Sequence, residues 1–136
     1  MDFKKLAVEE TSVLHLRGAD EELLYEGGDT KKPVTVTLFS PGSKTYAKAQ
    51  AGRNNRMMDR LKKKGKSDLS ADDTTQENAI FLTACTQAMT HVELDKLEGE
   101  ALFKAVYADT SIGFVGEQVG KHLGDWANFT KGSAKS

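Results

Sequence analysis

Hydrophobic and polar residues alternate in short runs over the first part of the chain. The run "PVTVTLF" places Val34, Val36 and Leu38 on one side of a strand and its two threonines on the other. The runs "SVLHLRG" and "ELLYE" have the same strand-like character. Because "GGDTKK" supplies turn-forming residues between "LLYE" and "PVTVTLF", these two runs are predicted to form a β-hairpin within an N-terminal sheet of two to four short strands.

After "SPGS" the pattern becomes typical of helices. A helix rich in Ala, Lys, Arg and Met is predicted to start at a Ser40 or Ser43 cap and to end near Gly65. A second helix, capped by Ser70, is predicted to run to about Met89 or His91 as the core helix of the domain. Two further helical segments cover about residues 100–107 and 113–129. The chain is therefore predicted to be an α+β protein, with a small N-terminal antiparallel hairpin or sheet followed by three to four α-helices.

The size of the chain fits one domain. Its 136 residues, of which 38% are hydrophobic, predict a single α+β domain over residues 1–130 and a flexible tail over residues 131–136. The single cysteine excludes an internal disulfide, and no run of about eighteen apolar residues occurs. We therefore expect a soluble cytoplasmic protein that contacts no membrane.

The last predicted helix combines an apolar stripe with a ridge of glycines. On a helical wheel the ridge consists of Gly113, Gly116, Gly120 and Gly124. Each interior glycine disfavours a helix by roughly 1 kcal/mol relative to alanine. The helix packs against the domain's own helices, or the segment is partly non-helical, or the helix becomes ordered only when it docks on a partner. The candidate partner-binding residues of the stripe are Val115, Val119, Leu123, Trp126 and Phe129.

Charge is distributed unevenly along the chain. Residues 1–43 carry a net charge of -3, residues 44–66 carry +8 and residues 67–136 carry -6. The basic part is a solvated face, a contact with an acidic protein surface such as another copy of the chain, or a nucleic-acid site. Nucleic acid is the weakest alternative, because no aromatic residues are interleaved with the basic ones. The candidate basic, self-association face consists of Arg53, Arg56, Arg60, Lys62, Lys63 and Lys64.

Residues with catalytic or metal-binding chemistry are scattered. His15, His91 and His122 are far apart in sequence and match no metal-binding motif. Cys85 is predicted to lie on the core-facing side of its helix, where a thiol is inert. We therefore expect no catalytic residues, no metal, no cofactor and no enzymatic activity.

The order of these features resembles the tail assembly chaperones of long-tailed bacteriophages and prophages. Two short motifs carry the resemblance, one before the basic helix and one at the C-terminal end. Their residues are Pro33, Val34, Leu38, Pro41, Gly42 and Ser43, and then Glu117, Gln118, Val119, Asp125, Asn128 and Phe129. The resemblance spans about residues 23–130.

The resemblance implies a non-enzymatic protein of the host bacterial cytoplasm. Such a chaperone binds the long, helical tape measure protein and keeps it soluble before the tail tube protein polymerises around it. Separately, the basic segment between acidic ones predicts a homo-oligomer built by head-to-tail charge pairing. A minor virion protein for tail completion or head-tail joining is the alternative from a structural class. A small nucleic-acid-binding regulator is the third hypothesis.

Overall fold

A computed structural model describes residues 1–65 and 69–131 of the chain. Within these ranges it contains a three-stranded antiparallel sheet and four α-helices. The strands are β1 (Thr11–His15), β2 (Thr35–Phe39) and β3 (Thr86–Thr90), and the helices are α1 (Lys44–Lys64), α2 (Ala71–Ala84), α3 (Gly99–Ala108) and α4 (Gly113–Leu123). The predicted α+β fold class is confirmed. Most of the predicted tail, residues 132–136, lies outside the described residues.

The centre of the sheet is β2, which pairs with β1 on one side and with β3 on the other. Val36 lies opposite Leu14 in β1 and opposite Met89 in β3. Val36 and Leu38 are fully buried, as the alternation of the sequence predicts.

The predicted hairpin between "LLYE" and "PVTVTLF" is confirmed only at its near end, and over its full length β2 pairs with β1 instead. The segment "ELLYE" forms no strand, and it contributes only bridges such as the one between Tyr25 and Pro33. It folds back beside the end of β1, where Leu24 donates its backbone N–H to Leu16 and accepts one from Val34. Gly27 has a φ of 60° and turns the chain just after this segment. The neighbour of β2 on this side is therefore β1.

The third strand comes from a segment that was predicted to be the end of the core helix. Helix α2 ends at Ala84, and the N–H of Cys85 bonds to the carbonyls of Phe81 and Leu82. The Cys85 carbonyl then accepts the N–H of Phe39 at 2.8 Å, which starts the pairing of β3 with β2. Pairing with a distant strand overrides the local preference for helix here.

The predicted caps of the two central helices are confirmed. The hydroxyl oxygen of Ser43 accepts the N–H of Tyr46 at 3.1 Å, and that of Ser70 accepts the N–H of Asp73 at 3.2 Å. Gly65 ends α1 with a φ of 71°, in the left-handed conformation that a glycine adopts without strain. Local side-chain chemistry therefore sets the ends of these helices.

Helix α4 is shorter than the predicted segment 113–129. It ends at Leu123, and after Gly124 the chain forms a separate 3-10 turn over Trp126–Phe129. The carboxylate of Asp125 caps this turn by accepting the N–H of Ala127 at 3.0 Å. Because the backbone of Asp125 is extended, the turn does not continue the helical wheel of α4.

One cluster of buried side chains joins the sheet to all four helices. Helix α2 packs against α1, α3 and α4. The largest buried side chains include Phe129, Leu38, Val36 and Val119. The C-terminal turn therefore completes the same core that the sheet begins.

Candidate partner-binding surfaces

Four of the five candidate partner-binding residues belong to the protein's own core. Val115, Val119, Leu123 and Phe129 are all buried, with exposed fractions of 7% or less. His122 lies among them, with its Nε2 3.1 Å from the hydroxyl of Ser12 and its ring edge-on to Phe129. For these four residues the structure favours packing within the domain and corrects their placement on a partner-binding surface.

Trp126 is the exception, because 55% of it is exposed. The 3-10 turn moves it out of the buried stripe, and its ring rests on the loop before α1. A Cβ atom at Gly42 would lie 3.4 Å from Cζ3 of Trp126 and 2.9 Å from Cγ2 of Val8. Gly42 therefore makes room for both side chains, and the free face of the indole remains available to a partner.

The three glycines of α4 and Gly124, which follows the helix, line an open groove. The groove has a volume of about 570 Å³ and lies between α4 and α2, with Tyr46 of α1 and Tyr107 of α3 also on its walls. A Cβ atom at Gly113 or Gly120 would meet nothing within 4 Å, and one at Gly116 would make an ordinary contact of 3.6 Å with Leu82. The domain's own packing therefore does not require glycine at these positions.

The three arginines of the predicted basic face bind α2. The guanidinium of Arg53 lies 3.8 Å from the ring centroid of Phe81. Arg56 donates from Nε to both oxygens of the Glu77 carboxylate at 2.9 Å, and its Nη2 forms an ion pair with the same group at 2.8 Å. Arg60 reaches this carboxylate at 3.5 Å. The hydrogen bond from Arg56 is the main reason that the pKa of Glu77 is lowered. The prediction that these arginines form an outward-facing surface is wrong, because they join α1 to α2.

The lysines of the predicted basic face remain exposed. Lys62, Lys63 and Lys64 occupy the last turn of α1. Their positive charges interact favourably with the negative end of the helix dipole and stabilise the helix. Lys44 and Lys48 are exposed near the start of the same helix. The positive charge of α1 that is free to meet a partner is therefore carried by lysines.

The C-terminal motif residues mainly hold the fold together. Gln118 receives the backbone N–H of Arg17 and donates to the carbonyl of the same residue, both at 2.7 Å, so its amide imitates a neighbouring strand. Asn128 donates to the carbonyl of His122, and Asp125 caps the last turn. The sequence carries no signal for the role of Gln118, because its partner Arg17 lies 101 residues away in the chain. The contacts of Asp125 and Asn128 are local, with partners two and six residues away.

The residues with reactive side chains have structural contacts. Nε2 of His15 and Nδ1 of His91 bond to backbone carbonyls, each at 2.8 Å. Cys85 is fully buried, and its burial raises the pKa of the thiol to about 12. Within residues 1–65 and 69–131, no group of His, Cys, Asp or Glu side chains is arranged to hold a metal ion. No helix in this part of the chain has both the length and the apolar character needed to cross a membrane.

No protein-family model matches the chain, and neither the curated proteins nor the solved structures contain a match. A function for this protein therefore has to be inferred from its surfaces and from its sequence motifs.

Proposed function

We propose that this protein is a non-enzymatic tail assembly chaperone of a long-tailed bacteriophage or prophage. It binds the tape measure protein in the host bacterial cytoplasm and keeps it soluble until the tail tube protein assembles around it. The two motifs that resemble this family suggest the role, and the surfaces of the domain supply a place for the partner.

The glycines along the groove are the observation that carries the proposal. Gly120 lies in the interior of α4 and weakens the helix by roughly 1 kcal/mol relative to alanine, yet no neighbouring atom occupies the space that its missing side chain leaves. The same space is empty at Gly113, the first residue of the helix. A helix with a smooth glycine ridge lets another backbone approach closely. The groove therefore suits a segment of a long helical partner, and the exposed indole of Trp126 adds a separate apolar anchor.

A co-expression experiment tests the proposal. We expect the tape measure protein to be insoluble when it is expressed alone and to be recovered in a soluble complex when this chain is present. The Gly120→Ala variant, in which a methyl group projects into the groove, should recover less of it. A tape measure protein whose solubility does not depend on this chain would refute the chaperone role.

Mass spectrometry of purified virions separates the chaperone from the structural alternative. A chaperone leaves before the particle is finished, so only trace amounts are expected. Recovery in stoichiometric amounts would identify a minor virion protein instead.

A further inference from the structure

The face of α1 that points away from the domain carries a regular row of small and apolar residues. The positions follow one another at alternating spacings of four and three residues, and all five are exposed. They are Ala47, Ala51, Asn54, Met58 and Leu61, which we call the outer row. This spacing is that of the a and d positions of a coiled coil.

The outer row is separate from the surfaces described above. The opposite side of α1 packs on α2 through Ala49, which is buried, and through Arg56 and Arg60, which bind Glu77. None of the five residues lines the groove beside α4. The outer row is therefore a second apolar face on a helix whose first face is already in use.

The charge on α1 indicates what would cover this row. The exposed lysines Lys48 and Lys62 lie along one side of it on the helical wheel. Lys44 holds the next position of the row before Ala47, and Lys63 and Lys64 follow at the other end. Asp59 is the single acidic residue of the helix. Residues that flank the row in a coiled coil face the partner's flanking residues, so a partner with acidic residues at those positions is attracted and a basic one is repelled.

A second copy of α1 does not supply the acidic flanking residues that this row would attract. In an antiparallel pair of α1 helices, Lys48 of one copy would lie opposite Lys62 of the other. In a parallel pair the two copies of Lys44, which continues the spacing of the row before Ala47, would lie opposite each other. In the α-helices of the described residues, the large exposed apolar side chains are Met57, Met58 and Leu61, which all belong to α1. The other described α-helices therefore offer no exposed row of large apolar side chains to pair with it.

We propose that the outer row of α1 binds an acidic amphipathic helix of another protein in a two-stranded coiled coil. Asn54 in the middle of the row would set the register of the pair, as a polar residue at such a position does in other coiled coils. The small residues Ala47 and Ala51 allow a close approach at one end, and Met58 and Leu61 supply apolar contact at the other. This inference does not depend on the proposed function, because it concerns a different face and a partner defined only by its chemistry.

A pair of synthetic helices tests the inference on the full-length protein. The first peptide has about three heptads, with leucine at a and d and glutamate at e and g. The matched control has lysine at e and g, and both peptides resist self-pairing because their own flanking charges repel. Binding is measured by anisotropy of the labelled peptide at low salt, with a labelled DNA duplex as a third probe.

We expect the acidic peptide to bind at least about tenfold more tightly than the lysine peptide, and we expect added salt to weaken the binding. The double variant Met58→Gln/Leu61→Gln should lose about tenfold in affinity, and Met58→Gln alone about threefold. Glutamine has nearly the same helix propensity as methionine and leucine, so α1 should keep its helicity by circular dichroism. The control Leu97→Gln changes an exposed leucine in the loop before α3 and should bind normally.

Three results would overturn the inference. The first is no binding of the acidic peptide, or equal binding of the two peptides. The second is equal affinity of the wild type and the folded Met58→Gln and double variants. The third is tighter binding of the DNA duplex than of the acidic peptide, which would make the lysines a phosphate-binding site. None of these results bears on whether the tape measure protein is the partner of the groove.

Discussion

Trp126 and Phe129 lie in the same 3-10 turn, yet 55% of the first and 1% of the second are exposed. Both are large aromatic residues, and both belong to one apolar stripe on a helical wheel. The turn directs Phe129 against His122 in the core and leaves Trp126 on Gly42. The contribution of each aromatic residue therefore follows from the direction of its side chain.

Substitution of these two residues by alanine should have different effects. Phe129→Ala removes a fully buried ring and is expected to lower the free energy of unfolding by about 3–5 kcal/mol. Trp126→Ala removes a half-exposed ring and should cost about 1–2 kcal/mol, while it weakens capture of the tape measure protein. Denaturant unfolding and a pull-down measure the two effects. If Trp126→Ala unfolds as easily as Phe129→Ala and still captures the partner, Trp126 is a core residue and not an anchor.

His122 should make stability depend on pH near neutrality. Its burial lowers the pKa of the imidazole, while the carboxylate of Asp125 partly offsets this. In the unfolded chain the pKa is about 6.5, so below that pH the unfolded state binds more protons than the native state. The free energy of unfolding should therefore fall as the pH decreases from about 7 to about 5.

The variant His122→Gln is expected to be less stable at pH 7 but to have a flatter pH dependence over this range. The measurement is urea unfolding at several pH values. Glu77 does not contribute to the pH dependence of stability above about pH 5, since its lowered pKa keeps the carboxylate ionised there. If the free energy of unfolding of the variant changes with pH as steeply as that of the wild type, His122 does not titrate as its burial implies.

Helix α4 is the element in which stability and binding should oppose each other. Gly116→Ala and Gly120→Ala should each stabilise the protein by up to about 1 kcal/mol, because alanine favours a helix and its methyl group finds space. The same methyl groups would project into the groove and weaken binding of the tape measure protein. Thermal unfolding and co-purification measure the two effects.

Gly42→Ala is the contrasting substitution for the stability measurement alone, because Gly42 contacts Trp126. Its Cβ would lie only 2.9 Å from Val8, so this variant should be destabilised. If Gly116→Ala and Gly120→Ala bind the partner as well as the wild type does, the groove is not the docking site.

At the scale of the whole molecule, charge is expected to drive self-association. Lys62, Lys63 and Lys64 are exposed at the end of α1, and the acidic residues Asp72 and Asp73 are exposed at the start of α2. The predicted head-to-tail contacts between basic and acidic patches of neighbouring copies would form rings or open spirals. They would engage Lys62, which also flanks the outer row, so self-association and binding of the acidic helix would compete for this lysine.

Sedimentation velocity at high protein concentration should detect oligomers at low salt and fewer of them at high salt, since salt screens exposed charges. The triple variant Lys62→Gln/Lys63→Gln/Lys64→Gln should associate less, whereas Lys104→Gln on α3 should behave as the wild type. Monomers alone under all these conditions would show that the chain does not self-associate through charge.

Features that depend on a few neighbouring residues could be predicted from the sequence. The serine caps of α1 and α2 and the glycine that ends α1 are such features, because each satisfies backbone groups within one turn. The burial of Val36 and Leu38 also follows from local alternation, since side chains of a strand point to opposite faces. The sequence by itself therefore determined the ends of these two helices and the buried face of the central strand.

Tertiary structure decided the features that depend on distant residues. The segment Thr86–Thr90 directly follows helix α2 but forms β3, because its backbone pairs with the free edge of β2. Arg56 and Arg60 look like a solvated basic face until α2 places the carboxylate of Glu77 between them. Helix α4 ends before Trp126, so the wheel that placed this residue beside Phe129 does not apply. In each case the deciding contact joins elements that only folding brings together, which is why periodicity along the chain could not reveal it.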